Sequence, residues 1–237
     1  MLYGRNAVAE ALEGRRQLHH LLIAEGVRED DRLRTILNRT RERELTIDRV
    51  PRFQIDDLTQ GANHQGVALE VGEYRYVEPE EMVERQGTIL VLDHLQDPQN
   101  LGTLLRAAEV CGASGAIIAR DRAAAITPAV VNASAGAVEH LLVAQETNIG
   151  RALERLGSHG WWSVGLDTGD DAMDLYAATL PAPVALVVGS EGMGISPGVR
   201  KRCEIIVSLP VHGRVASLNA ATAGSIALFE LLRRDTT

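Results

Sequence analysis

The sequence is short of several things, and each shortage narrows what the chain can be. Its 237 residues include only two cysteines, Cys111 and Cys203, far too few for a disulfide scaffold. No paired Cys/His spacing accompanies them, so a structural zinc site is disfavoured and no metal is expected. Aromatic residues make up only 3%, so the core must be aliphatic, built from Leu, Ile, Val and Ala. No apolar run reaches the roughly 18 residues needed to span a bilayer. The first 16 residues, MLYGRNAVAEALEGRR, have no apolar centre of the signal-peptide kind. These absences give the expectation of a cytoplasmic protein without a membrane partner. Lysine is nearly missing as well: Lys201 is the one lysine, and every other basic residue is arginine.

What is present is acidic overall. Lys and Arg number 24 against 32 Asp and Glu, a formal charge of −8, which is not the usual footprint of a nucleic-acid binder. The charge is uneven. Residues 1–77 carry 12 basic and 13 acidic residues, whereas residues 78–237 carry 12 and 19. The first segment is therefore the better candidate for contact with a polyanion.

Hydropathy patterning divides the chain. Residues 4–13 read as an amphipathic helix, 19–25 as a strand, 29–43 as a helix, 45–50 as a strand, 53–62 as a short helix and 66–72 as a strand. This αβαβαβ unit of residues 1–72 is small but able to fold alone. Residues 73–87 are polar, punctuated by Pro79 and Gly87, and read as a linker or short helix. From residue 88 onward, apolar strands (88–95, 115–120, 142–146, 161–167, 184–191 and 204–210) alternate with helices. One helix is expected over 127–141 with Pro128 in its first turn, and a last one over 217–234. Alternation of this kind predicts an α/β domain with a parallel sheet covered on both faces.

Three loops of this second domain carry residues suited to binding, and in open α/β sheets ligands bind at the carboxyl ends of strands. The first begins at Asp93 and continues as DPQNLGTLLRAAEVCGASG (97–115). Asn100 there is either a helix cap or a site residue, and Arg106 either a solvated helix side chain or a site residue. The second is VVGSEGMGIS (187–196), with Gly189, Gly192 and Gly194 around Glu191. It matches neither the dinucleotide G-x-G-x-x-G nor a P-loop, which disfavours a nucleotide-dependent oxidoreductase. The third is SLPVHGRVASLNAATA (208–223), where Ser217 is a candidate N-cap and Asn219 is placed in the first helical turn.

Together these three segments resemble the SpoU family of RNA ribose 2′-O-methyltransferases, of the SPOUT class that also holds the TrmH-like enzymes. Through YGRNAVAEAL (3–12) and NHQGVALEV (63–71), the first 72 residues resemble the small ribosomal-protein-like substrate-binding domain often fused to them. The resemblance spans nearly the whole chain. It is nearest to the bacterial branch that methylates a guanosine of large-subunit 23S ribosomal RNA. It departs where Val211, His212, Ala220 and Ala221 replace commoner residues.

That resemblance implies a trefoil knot in the methyltransferase domain (88–237), S-adenosylmethionine as cofactor, and a homodimer completing its sites across the interface. It places cofactor contacts on Gly189, Leu209 and Leu218, and catalytic or substrate-side roles on Asn100, Arg106, Glu191, Ser217 and Asn219. RNA rather than DNA is the implied partner, since the acceptor is a 2′-hydroxyl. Ribosomal RNA is favoured over transfer RNA by the extra domain, and a catalytically silent RNA-binding assembly factor is the alternative of another class. Arg106 would pin the RNA phosphate and polarise the hydroxyl, with His212 as a rival base. His64 would face RNA or serve the structure. An RNA-binding patch is expected from Arg5, Arg15, Arg16, Arg39, Arg41 and Arg43 together with Arg106, although Arg39, Arg41 and Arg43 could equally form a solvated face beside Glu42 and Glu44.

Overall fold

A computed structural model describes residues 1–85, 87–214 and 217–235. The chain forms two compact units, residues 1–75 with 126–140, and residues 76–125 with 141–237.

In the first unit a four-stranded sheet has the order β1-β4-β2-β3. Its strands are β1 (Leu2–Tyr3), β2 (Leu18–Ala24), β3 (Thr46–Val50) and β4 (Val67–Val71). β4 runs antiparallel to β1 and β2, while β2 and β3 are parallel. The helices are α1 (Arg5–Glu13), α2 (Asp31–Glu42) and α3 (Arg52–Leu58). The expected helices and strands of this region are all present, shortened by a residue or more at most ends. β1 has no signal in the sequence, because two residues are too few to show a period. α2 shows why such elements form: Leu33, Ile36 and Leu37 fall on one buried face, and the Asp30 carboxylate caps the helix by accepting the Leu33 N–H at 2.9 Å.

The segment 126–140 departs from the expectation of a single helix. Helix α6 (Pro128–Ala133) ends early and a 3₁₀ turn follows over Ala137–Glu139. Between them Ala135 and Gly136 adopt left-handed backbone conformations, φ 53° and 90°. Gly136 is required there, because a Cβ would come within 2.5 Å of the Glu10 Cβ. The break carries Glu139 to Arg16. Arg16 Nε donates to Glu139 Oε2 at 2.9 Å, and its Nη2 lies 2.9 Å from Oε1. Both side chains are buried, and the guanidinium stacks over Tyr74 at 4.7 Å from the ring centroid. Burial pushes the Glu139 carboxyl above its ordinary range, with Arg16 opposing.

These pairings correct the expected arginine patch. Arg16 is buried against Glu139. Arg5 pairs with Asp30 and Arg39 with Glu13. Only Arg41 and Arg43 of the helix cluster remain turned to solvent without an ion pair among the described residues. His64 is structural. It is buried, its Nδ1 accepts the Gly66 N–H at 3.1 Å, and its Nε2–H is therefore directed to Asp56 Oδ1 at 2.9 Å.

The second unit holds a seven-stranded sheet, all parallel, in the order β7-β6-β5-β10-β8-β11-β9. Its strands are β5 (Ile89–Asp93), β6 (Gly115–Ala119), β7 (Val143–Glu146), β8 (Trp162–Leu166), β9 (Met173–Asp174), β10 (Val184–Gly189) and β11 (Ile205–Ser208). β5, β6 and β10 are buried along their whole length. This explains why they read as unbroken apolar runs rather than alternating ones. Helices α4 (Glu80–Val83), α5 (Pro98–Val110), α7 (Ile149–Ser158), α8 (Pro197–Arg200) and α9 (Ala220–Asp235) complete the unit. α9 packs closely on α5 and on β10. At Gly224 a Cβ would stand 2.5 Å from Leu104 Cδ2. No described helix is long and apolar enough to cross a membrane.

Candidate active site

Three neighbouring strands, β10, β8 and β11, end on the same side of the sheet, and a cavity of about 630 Å³ lies at those ends. That volume is within the range of small-molecule sites, ~300–1,000 Å³. β8 contributes Leu166 and the following Asp167 and Thr168. β10 contributes Val188, Gly189 and the loop through Gly194. β11 contributes Ser208, with Leu209 and Val211 after it, and Ser217 to Asn219 lead into α9 at Ala220.

The β10 loop is folded back on itself. Ser190 and Gly194 exchange backbone hydrogen bonds of 3.0 and 2.9 Å. At Gly189 a Cβ would fall 2.1 Å from the Gly194 carbonyl carbon, so no other residue fits. Gly192 and Gly194 take positive φ values of 77° and 65°. The glycines of this motif therefore serve a tight turn that leaves a backbone-lined wall.

Of the sequence-designated residues, Gly189, Glu191, Leu209, Ser217, Leu218 and Asn219 line the cavity. Asn100 joins them through one contact, as the Asn219 Nδ2–H donates to Asn100 Oδ1 at 3.1 Å. Asn219 is also the cap of α9, its Oδ1 accepting from the N–H groups of Ala221 and Thr222 at 2.9 and 3.1 Å. The cap expected at Ser217 is thus supplied by Asn219, and Ser217 stays exposed at the cavity. Asn100 does not cap α5. Asp97 does, accepting the Gln99 N–H at 3.0 Å and the Asn100 Nδ2–H at 2.9 Å. Those donors hold the Asp97 carboxyl below its ordinary range. Arg106 lies outside the cavity lining. It is exposed on α5 and has no hydrogen bond or ion pair among the described residues. His212 is exposed and is not in the cavity lining, though Val211 beside it is. Val215 and Ala216 of the third motif lie outside the described residues.

Two aspartates also stand at this end of the sheet: Asp93, which opens the first motif's segment, and Asp167, which carries no motif signal. Asp93 ends β5 and is buried. Its Oδ2 accepts the Ser196 N–H at 2.7 Å, and Oδ1 lies 2.6 Å from His94 Nδ1. It thereby ties the second motif's loop to the strand that precedes the first motif. Asp167 follows β8 directly and stands in the cavity wall. The signal that could have revealed both is shared: TILVLD and WWSVGLD each close an apolar parallel strand with an aspartate. Cys203 is excluded as a nucleophile, because burial pushes its thiol up to about 12.

The cavity wall suits a cationic small molecule. Asp167 and Glu191 are the ionisable side chains among the lining residues, and none of that lining is basic. Apolar Leu218 and Met193, 48% and 86% exposed, stand at its rim.

Fold and site thus define a parallel-sheet α/β domain with a glycine-walled nucleoside-sized cavity at the strand ends, joined to a small mixed-sheet unit. Two family models match the chain: "SpoU rRNA Methylase family" over residues 87–229 and "RNA 2'-O ribose methyltransferase substrate binding" over residues 1–77. The chain belongs to the SpoU methylase family and is an RNA methyltransferase of the SpoU/TrmH type.

Its relatives include a putative TrmH family tRNA/rRNA methyltransferase, YacO of Bacillus subtilis. That protein is 37% identical over 237 residues, covering 98% of this chain and 94% of the relative. An uncharacterized tRNA/rRNA methyltransferase of Synechocystis is 38% identical over 99% of this chain, which spans only 62% of that relative. Among solved structures, the SpoU methyltransferase AviRb of Streptomyces viridochromogenes, in complex with the cofactor AdoMet, superposes with a TM-score of 0.82. It does so at 23% identity, over 100% of this chain and 90% of that one, a likeness of fold.

Proposed function

We propose that this protein transfers a methyl group from S-adenosylmethionine to a ribose 2′-hydroxyl of RNA, with a guanosine of large-subunit ribosomal RNA as the target. The observation that carries the reading is the convergence, at one cavity, of Gly189, Glu191, Leu209, Ser217, Leu218 and Asn219, with Asn219 bonded to Asn100. When bound, S-adenosylmethionine supplies an electrophilic methyl group on a positively charged sulfur. The backbone of the Gly189–Gly194 loop, with Leu209 and Leu218, holds the nucleoside. Asn100 and Asn219, locked to each other and to the ends of α5 and α9, orient the acceptor ribose. Arg106, exposed and unpaired among the described residues, pins the RNA phosphate and polarises the 2′-hydroxyl. Positioning of this kind lowers a barrier chiefly by removing the entropy of encounter.

The same reading includes a homodimer and a trefoil knot running through β11 and α9. Tyr176 and Phe229, each more than half exposed, share one shallow pocket with Ile226 and offer an apolar surface to a second copy.

Calorimetric titration with S-adenosylmethionine, followed by tritiated-methyl transfer to total ribosomal and transfer RNA, tests the proposal. Binding with label in large-subunit RNA is the expected result, and ribose-methylation mapping then names the nucleotide. Label in transfer RNA alone would keep the chemistry and overturn the substrate. A folded protein that binds no S-adenosylmethionine would overturn the enzyme reading in favour of a silent RNA-binding factor.

A further inference from the structure

The cavity holds one fixed anion that the three motifs leave out. Asp167 follows β8, whose Leu166 pairs in register with Val188 of β10. Its carboxylate is braced from two directions. Oδ1 accepts the Thr168 N–H at 2.8 Å, and Oδ2 accepts from Arg200 Nε at 3.2 Å. Arg200 is itself anchored, donating through both terminal nitrogens to Asp171 at 2.9 and 2.5 Å. From the other side the β10 loop closes in. A Cβ on Gly194 would stand 3.0 Å from Asp167 Oδ1, so the glycine leaves the carboxylate bare where a side chain would cover it. The Asp167 side chain is only 18% exposed, and what remains accessible belongs to the cavity wall.

An ionised carboxylate is an acceptor with about four lone-pair sites, and the Thr168 N–H and Arg200 Nε occupy two. The two that remain need donors. A ribose offers them as a vicinal pair of hydroxyls, spaced to meet one carboxylate. An acidic side chain near a strand end, reading ribose hydroxyls, is a recurrent solution in nucleotide-binding α/β sheets. Glu191, the other acid of the wall, has no such brace among the described residues and is exposed.

We infer that Asp167 accepts hydrogen bonds from the ribose hydroxyls of the nucleoside cofactor, with Arg200 as the positioning residue that sets its carboxylate. The inference rests on the proposed S-adenosylmethionine site and adds a specificity residue to it.

The test is calorimetric titration with S-adenosylhomocysteine and with its 2′-deoxy and 3′-deoxy forms, none of which requires catalysis. The wild-type protein is expected to bind the parent at least tenfold more tightly than one of the deoxy forms. Asp167→Asn is expected to bind the parent about tenfold more weakly and to lose that discrimination. Asp171→Asn, which loosens Arg200 and leaves the Asp167 carboxylate in place, is expected to weaken binding of the parent by less than Asp167→Asn does and to keep the discrimination. Three results would overturn the inference: equal wild-type affinity for parent and deoxy forms, discrimination surviving in Asp167→Asn, or losses in Asp171→Asn as large as those in Asp167→Asn. Failure of the folded wild type to bind S-adenosylmethionine or S-adenosylhomocysteine at all is a separate result. It would remove the cofactor site itself, and this assignment with it.

Discussion

Arg16 and Arg106 are the same residue type in opposite circumstances. Arg16 is buried, hydrogen-bonded and ion-paired to Glu139 and stacked on Tyr74. Arg106 is exposed on α5 with no partner among the described residues. The contrast holds more widely. In the first unit Arg5, Arg32 and Arg39 close ion pairs with Asp30, Glu10 and Glu13, so much of its charge is internal. At the cavity of the second unit, Glu191 and Ser217 carry polar groups that point to solvent. Groups already satisfied by the protein hold the fold, and groups left unsatisfied are free to meet a ligand.

The largest effect should come from breaking the buried pair. Glu139→Ala leaves the Arg16 guanidinium buried without its carboxylate, at a cost of about 3–5 kcal/mol. Denaturant unfolding should show a matching fall in stability. An Arg16→Met/Glu139→Leu double variant should recover much of the loss, because both charges are then gone.

Arg106→Ala should do the reverse. Its stability should stay within about 0.5 kcal/mol of wild type, while methyl transfer to RNA should fall about 100-fold or more if it polarises the hydroxyl. Single-turnover rates beside a thermal melt would separate the two. Unchanged rates would remove Arg106 from the proposed chemistry.

Asn219→Ala should show both kinds of loss in one residue. Removing the α9 cap should cost about 1 kcal/mol, and losing the bond to Asn100 should lower turnover beyond what that destabilisation explains.

A further effect is a pH dependence. Hydrogen bonds from Arg233 and Arg234 hold the Glu230 carboxyl down at about 2, from an ordinary 4.5. A depressed carboxyl stabilises the fold above its unfolded value, and that stabilisation is lost as pH falls from about 4.5 through about 2. In Glu230→Gln the stability–pH curve should be flatter in that window. Arg234 also donates to the Ala178 carbonyl at 2.7 Å, so near-neutral stability should fall slightly as well.

Much of the architecture was legible before any coordinates. The continuous apolar runs at 89–93 and 184–189 read as buried parallel strands because burial on both faces removes any need for alternation. The glycines of VVGSEGMGIS read as a ligand loop, and Gly189 does sit where no Cβ fits. Less legible was the choice of cap. SLNAA reads with Ser217 as the cap and Asn219 inside the first turn, yet α9 begins at Ala220 and Asn219 caps it. The arginine patch failed for a related reason. Arg5, Arg16 and Arg39 look available in a linear reading, yet their acids lie 25, 123 and 26 residues away.

The sequence by itself determined the local periods, the strand–helix alternation and the three loops that place a site at one end of a parallel sheet. These depend on neighbours a few residues apart, and the order of residues records them directly. Only the tertiary structure decided that residues 126–140 pack with the first unit, that Glu139 neutralises Arg16, and that Asp167 stands braced in the cavity wall. Each of those facts joins groups distant along the chain, and a charged side chain's role depends on which partner the fold delivers to it.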